Sequence, residues 1–224
     1  MRITFLGTGA ADWHLKEHKH FDGFRRNASA LIDGVLLIDP GPGVPDALET
    51  FCISADDIRY VINTHPHGDH INEQTLAMLK GATLYNIAAG DELKIGKYTV
   101  SALSANHATA ERAVHFIISD GERRLFYGLD GSWLTYSEVA AIKKSGVDLA
   151  VLDATVGDVP GDYRIFEHNN LNMVCEIKAT LEAYIKRFFI SHMARTLHTS
   201  HDKLCERMKG VGIEVAYDGL EVEI

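Results

Sequence analysis

The run Thr64-His65-Pro66-His67-Gly68-Asp69-His70 follows the apolar segment Ile58 to Ile62 and constrains this chain more than any other feature. Four potential metal ligands fall within six residues. Burying ionisable groups at that density is costly unless something pairs them. A divalent metal is the simplest partner, and imidazole nitrogen with carboxylate oxygen suits a borderline ion. If the run leaves a strand end as a tight loop, His65 and His67 approach one ion. Asp69 and His70, opening the next helix, approach a second.

Each ion needs ligands from elsewhere. His107 lies just after the strand candidate 98–104, Asp130 after 123–127 and His192 after 187–191. Ligands at several strand ends are what an α/β scaffold offers. Asp130 is the natural bridge, since one carboxylate reaches two ions. Alone, His107 or His192 reads as an ordinary surface or hydrogen-bonded residue; the upstream cluster changes that reading.

The remaining pattern is strand-rich at first and alternating later. Strands are expected at 2–6, 28–32, 35–38, 58–62, 83–87, 98–104, 113–118, 123–127, 149–152, 188–191, 214–216 and 220–224. Helices are expected at 45–51, 69–79, 133–144, 170–186 and 199–208. Two packed sheets with helices outside satisfy this order. The 224 residues suffice for one core, so a single domain over 1–224 is expected.

A net charge of -9 disfavours a broad nucleic-acid surface, which is normally basic. It leaves room for a small phosphorylated substrate, because bound metal reverses the local field. Cys52, Cys175 and Cys205 form no CxxC pair, and an odd count argues against a disulfide framework. A reducing, cytoplasmic setting is expected. No apolar run approaches membrane-spanning length, and no standard leader pattern opens the chain.

With these residues in view, the chain resembles the metallo-β-lactamase superfamily, whose signature is His-x-His-x-Asp-His. Phe5-Leu6-Gly7-Thr8-Gly9, Leu37-Ile38-Asp39-Pro40-Gly41, Asn106-His107, Gly128-Leu129-Asp130 and Ile190-Ser191-His192 extend the match. The resemblance implies an α/β fold, a four-layer αβ/βα sandwich with a dinuclear site between its sheets. It assigns His65, His67 and His107 to one ion, Asp69, His70 and His192 to the other, and Asp130 to both. The ions would be zinc or manganese.

The carboxyl end resembles the cyclic-phosphate phosphodiesterases of phosphonate breakdown and, more distantly, the tRNA 3′-processing endonucleases. That likeness makes His168 the group acting on the leaving group and Asp153 the acid orienting it. It also makes a homodimer plausible. Two departures stand out. Residues 10–26 lack the cysteines of a structural zinc loop, although they hold His14, His18 and His20. Only 36 residues separate His70 from His107, and 37 separate Asp130 from His168, leaving little room for a tRNA-holding arm.

Four further residues admit two roles each. His198 and His201 either reach the substrate or stand exposed to solvent in a loop where Thr199 or Ser200 caps the next helix. Arg25 and Arg26 either grip a phosphate at the cleft or form salt bridges elsewhere. The expected reaction is hydrolysis of a small cyclic or nucleotide phosphodiester by a metal-bridging hydroxide, with Asp69 also accepting a hydrogen bond from it. A nuclease acting on RNA or DNA ends and a thioester or lactone hydrolase are the alternatives.

Overall fold

The computed structural model describes residues 1–224. Its strands, in chain order, are β1 (Arg2–Gly7), β2 (Ser29–Ile32), β3 (Leu36–Ile38), β4 (Tyr60–Ile62), β5 (Thr83–Tyr85), β6 (Glu92–Ile95), β7 (Tyr98–Ser104), β8 (Val114–Ser119), β9 (Arg124–Gly128), β10 (Val147–Asp153), β11 (Ile185–Ser191), β12 (Glu214–Val215) and β13 (Glu221–Glu223). The helices are α1 (Leu15–His18), α2 (Val44–Thr50), α3 (Glu73–Met78), α4 (Tyr136–Ser145), α5 (Leu171–Leu181) and α6 (His201–Lys209).

Two sheets form, in the orders β13-β1-β2-β3-β4-β5 and β12-β11-β10-β9-β8-β7-β6. Strand alternation divides their apolar residues between layers. On β10, Leu149 and Val151 join the core between the sheets, while Ala150 and Leu152 face outward. That outer face is covered by Ile142 of α4, Val174, Ile177 and Leu181 of α5, and Leu204 and Met208 of α6. On the other sheet, Leu6, Leu31, Leu37 and Val61 pack under Val44, Ala47 and Leu48 of α2. Phe5 and Phe189, from opposite sheets, meet with ring centroids 5.8 Å apart. The result is a helix–sheet–sheet–helix sandwich, as the sequence pattern leads one to expect. No helix is long and apolar enough to cross a membrane.

Several element bounds differ from the expectation. The helix after the histidine run starts at Glu73 rather than Asp69, because the Asn72 side chain caps it by accepting from the N–H groups of Gln74 and Thr75. The run itself stays a loop. The helix expected to reach residue 186 ends at Leu181, and Ile185 begins β11. Its apolar side chain is buried in the layer beneath α5, so a helical spacing does not distinguish the two assignments. Strand β6 and the one-turn α1 were not expected.

The parallel arrangement of β9, β10 and β11 gathers their carboxyl ends at one edge. β3 and β4 are likewise parallel. Asp39, Asp130 and His192, each just past a strand, have φ of 58°, 57° and 61°. Left-handed backbone at non-glycine residues is costly and is held only by surrounding structure.

Candidate metal centre

The loop after β4 rests on the end of β3. A Cβ on Gly41 would meet the Asp69 carbonyl oxygen at 2.0 Å, so only glycine permits this approach. Asp39 accepts from the Thr64 N–H at 2.7 Å and lies 2.9 Å from His70 Nδ1. The carboxylate fixes the His70 ring with Nε2 turned toward the centre. His192 is fixed similarly, with Nδ1 2.7 Å from the Thr155 hydroxyl and 3.4 Å from Asp153 Oδ2. Such outer partners set the tautomer of metal-binding imidazoles.

Four groups of potential ligand atoms converge: His65, His67 and His107; Asp69, His70 and His192; His65, His70 and Asp130; and Asp130, Asp153, His168 and His192. Asp130 therefore touches both halves. Its Oδ2 lies 2.5 Å from His70 Nε2 and 3.0 Å from His192 Nε2, yet has no partner in hydrogen-bond geometry. His65 Nε2 is also buried without a partner. His70 Nε2 and His192 Nε2 are 3.4 Å apart, and His107 Nε2 lies 3.3 Å from His67 Nδ1. Buried lone pairs aimed at one another, with an orphaned carboxylate oxygen among them, fit a pair of cations.

The charges agree. Burial and neighbouring histidines hold His65 down to about 2, so its ring is neutral and its lone pair free. Burial pushes the Asp69 and Asp130 carboxyls up, but the nearby histidines outweigh it and both lie well below the usual range. Burial opposes charge on His70 and His192, while Asp130 drives both upward.

A cleft of about 190 Å³ opens over the centre. His67, Asp69, His107, Asp130, His168 and His192 line it, and its apolar lining consists of Ala10, Ala11 and Ala194. His168 Nδ1 lies 3.0 Å from Asp153 Oδ2 and 3.5 Å from Asp130 Oδ1. Asp153 also accepts from the N–H groups of Thr155 and Asn169, each at 3.0 Å. Burial would lower the His168 pKa, but the Asp153 charge and hydrogen bond raise it above 6.5.

Other sequence candidates stand apart from this cleft. Arg26 is buried and engaged by Asp46 and Asp218, and its guanidinium lies over the Phe51 ring. Arg25 is buried too, donating to the Thr8 hydroxyl at 2.6 Å and the Ala216 carbonyl at 2.9 Å. Arg26 thus forms salt bridges within the fold, whereas Arg25 meets only uncharged partners. His201 lies 3.0 Å from Arg25 Nη2, and His198 Nε2 lies 2.7 Å from the Ala154 carbonyl oxygen. Both histidines border a separate cavity behind Ala194. His14 and His18 stack on each other, and the trio with His20 forms no converging ligand group.

The cation that does line the cleft is Arg164, held by Asp162 at 2.9 Å and 2.6 Å. No sequence signal marked it: it sits in a segment without periodicity, and only the packing of residues 163–168 brings it over the site.

The sequence model described as the metallo-beta-lactamase superfamily matches residues 22–73, which include the histidine run. Known structures extend the likeness across the chain. A diphosphatase from the PhnP family is 19% identical, with 100% of this chain and 97% of that chain covered and a TM-score of 0.75. This is a metallo-beta-lactamase superfamily fold. Zn(2+)-bound PqqB from Methylobacterium extorquens shares it at 18% identity, full coverage of both chains and a TM-score of 0.77. The short form of human tRNase Z shares it at 18% identity, covering 100% of this chain and 99% of that chain with a TM-score of 0.69. No curated protein matches the sequence. Within the metallo-beta-lactamase fold, the edge where these clusters converge carries the chemistry of a metal-dependent hydrolase.

Proposed function

We propose that residues 1–224 act as a dinuclear metal-dependent phosphodiesterase on a small cyclic or nucleotide phosphodiester. The observation that carries this reading is His168 beside Asp130, with Nδ1 taken by Asp153. That arrangement leaves Nε2 to meet a leaving group, on a ring that the Asp153 charge keeps protonated more readily than free histidine.

His65, His67 and His107 would hold one ion, Asp69, His70 and His192 the other, with Asp130 between them. The ions, zinc or manganese, supply when bound a nucleophile at neutral pH and neutralise charge on the phosphoryl oxygens. The chain's own groups do the rest. Arg164 binds a phosphate oxygen and orients the diester. His168 donates a proton to the departing alkoxide, and Asp153 steadies the ring. Asp69, besides its ligand role, accepts a hydrogen bond from the attacking group.

A cleft whose apolar lining is three alanines suits a small polar substrate better than an acyl thioester. The diphosphatase likeness supports phosphorus chemistry, and the tRNase Z likeness keeps RNA ends in the assay. The test is a substrate panel on metal-reconstituted protein: bis(p-nitrophenyl) phosphate, ribose cyclic phosphates, 2′,3′-cyclic nucleotides, short RNA and a thioester. Turnover of small diesters is expected. His168→Ala should reduce turnover by about 10²–10⁴ with both metals retained. No hydrolysis of any phosphodiester overturns the reading.

A further inference from the structure

His115 of β8 and Glu138 of α4 form a fully buried ion pair that the proposed chemistry does not use. The two residues face each other beneath the segment 129–135, which carries Asp130. His115 Nδ1 faces Glu138 Oε1, and His115 Nε2 lies 3.1 Å from the Leu129 carbonyl oxygen. Glu138 Oε2 accepts from the Thr135 N–H at 2.6 Å, and the Glu138 N–H bonds the Thr135 hydroxyl in return. One member of the pair thus holds the start of the segment and the other holds its end.

Packing adds to these bonds. A Cβ on Gly131 would lie 2.6 Å from His115 Cε1, so the ring fills the space under the turn. Both Asp130 and Trp133 have φ of 57°, a conformation that must be enforced. The same segment also ties down the rest of the site. Ser132 N donates to the Asn106 carbonyl at 3.0 Å, and Asn106 Nδ2 donates back to the Ser132 carbonyl at 2.8 Å, beside His107. The Trp133 N–H donates to Asn169 Oδ1 at 2.7 Å, beside His168.

We infer that the His115–Glu138 pair is the positioning device of the metal centre, clamping both ends of segment 129–135 so that Asp130 stands between the two halves. A buried ion pair is weak as a source of stability, because desolvation offsets its attraction. Its placement makes a positioning role the better account. The inference rests on the dinuclear reading above. His115 and Glu138 are positioning residues and touch no substrate.

Zinc titration of the metal-free protein, followed by calorimetry, tests it. Wild type is expected to take up two ions; if it does not, the dinuclear reading fails rather than this one. Glu138→Ala removes the acceptor for the Thr135 N–H and leaves His115 Nδ1 without its partner. It should weaken at least one zinc by tenfold or more in the folded protein. His115→Gln with Glu138→Gln restores neutral hydrogen bonds to Leu129 and Thr135 and should return zinc affinity to within threefold of wild type. Wild-type zinc affinity in folded Glu138→Ala overturns the inference, even with a lowered Tm. Should both variants fail to fold, nitrogen-resolved NMR of the wild-type protein decides. A slowly exchanging His115 Nε2–H is expected, and a ring without a proton there overturns the anchoring of Leu129.

Discussion

His70 Nδ1 lies 2.9 Å from Asp39 Oδ2, and both side chains are fully buried. The same carboxylate accepts from the Thr64 N–H at 2.7 Å and faces the Thr64 hydroxyl at 2.9 Å. One residue at the end of β3 therefore grips the histidine loop at its first and last positions. Asp39→Asn keeps the size and tolerates the left-handed backbone, but it puts an N–H₂ among donors. Metal affinity should fall about 10–100-fold, as for other outer-partner losses. Zinc competition with a chromophoric chelator measures this, and unchanged affinity would remove Asp39 from the role.

Arg164 is the cation lining the cleft, and two contacts to Asp162 position it. Arg164→Ala should raise KM for a phosphodiester about tenfold, the scale of one charge-assisted hydrogen bond. The turnover number should change much less. Steady-state kinetics on bis(p-nitrophenyl) phosphate give the split, and a fall confined to kcat would place Arg164 in the chemical step instead.

Arg26 is engaged within the fold. Its Nε donates to Asp46 Oδ2 at 2.7 Å, Nη2 to the Thr50 hydroxyl at 2.8 Å, and its backbone N–H to Asp218 Oδ2 at 2.7 Å. Arg26→Ala should cost about 1–2 kcal/mol of stability, because it removes charge-assisted hydrogen bonds from the half-buried Asp46 and Asp218, which keep Lys19 and Thr8 as partners. Urea unfolding reads that loss, and specific activity of the folded fraction should remain at the wild-type level.

Asp33, in the β2–β3 turn, joins the two sheets by accepting from Tyr98 Oη at 2.8 Å and from the Arg2 N–H at 2.6 Å. Burial pushes its carboxyl up, but the Lys97 ion pair and these donors outweigh burial and bring it below 3.8. A carboxyl depressed on folding stabilises the native state above its unfolded pKa, and that stability is lost as pH falls through the folded value. Asp33→Asn should therefore cost about 1–2 kcal/mol at pH 7 and progressively less toward pH 3. Urea midpoints at both pH values check the sign; an equal loss at each would exclude the charge as the cause.

The sandwich was legible because strand alternation and turn residues are local signals. Ile3 and Phe5, or Leu149 and Val151, announce a face wherever the strand ends up. Boundaries were less legible where one apolar residue served either period, as at Ile185. The converging histidine and aspartate clusters were legible because ionisable residues stand just past apolar strands, a place where carboxyl ends of parallel strands converge.

By itself, the sequence determined a histidine loop, its distal partners and a two-sheet frame, since each follows from residue type and short-range spacing. Only tertiary structure decided which cation meets the cleft. Arg25 and Arg26 lie near the chain's opening glycines and are consumed by Thr8, Asp46 and Asp218, whereas Arg164 arrives from far along the chain. Tertiary structure likewise decided what lies beneath Asp130. His115 and Glu138 are 23 residues apart and share no motif. Their pairing depends on where a helix settles on a sheet, and that is set by packing of the whole layer rather than by any local pattern.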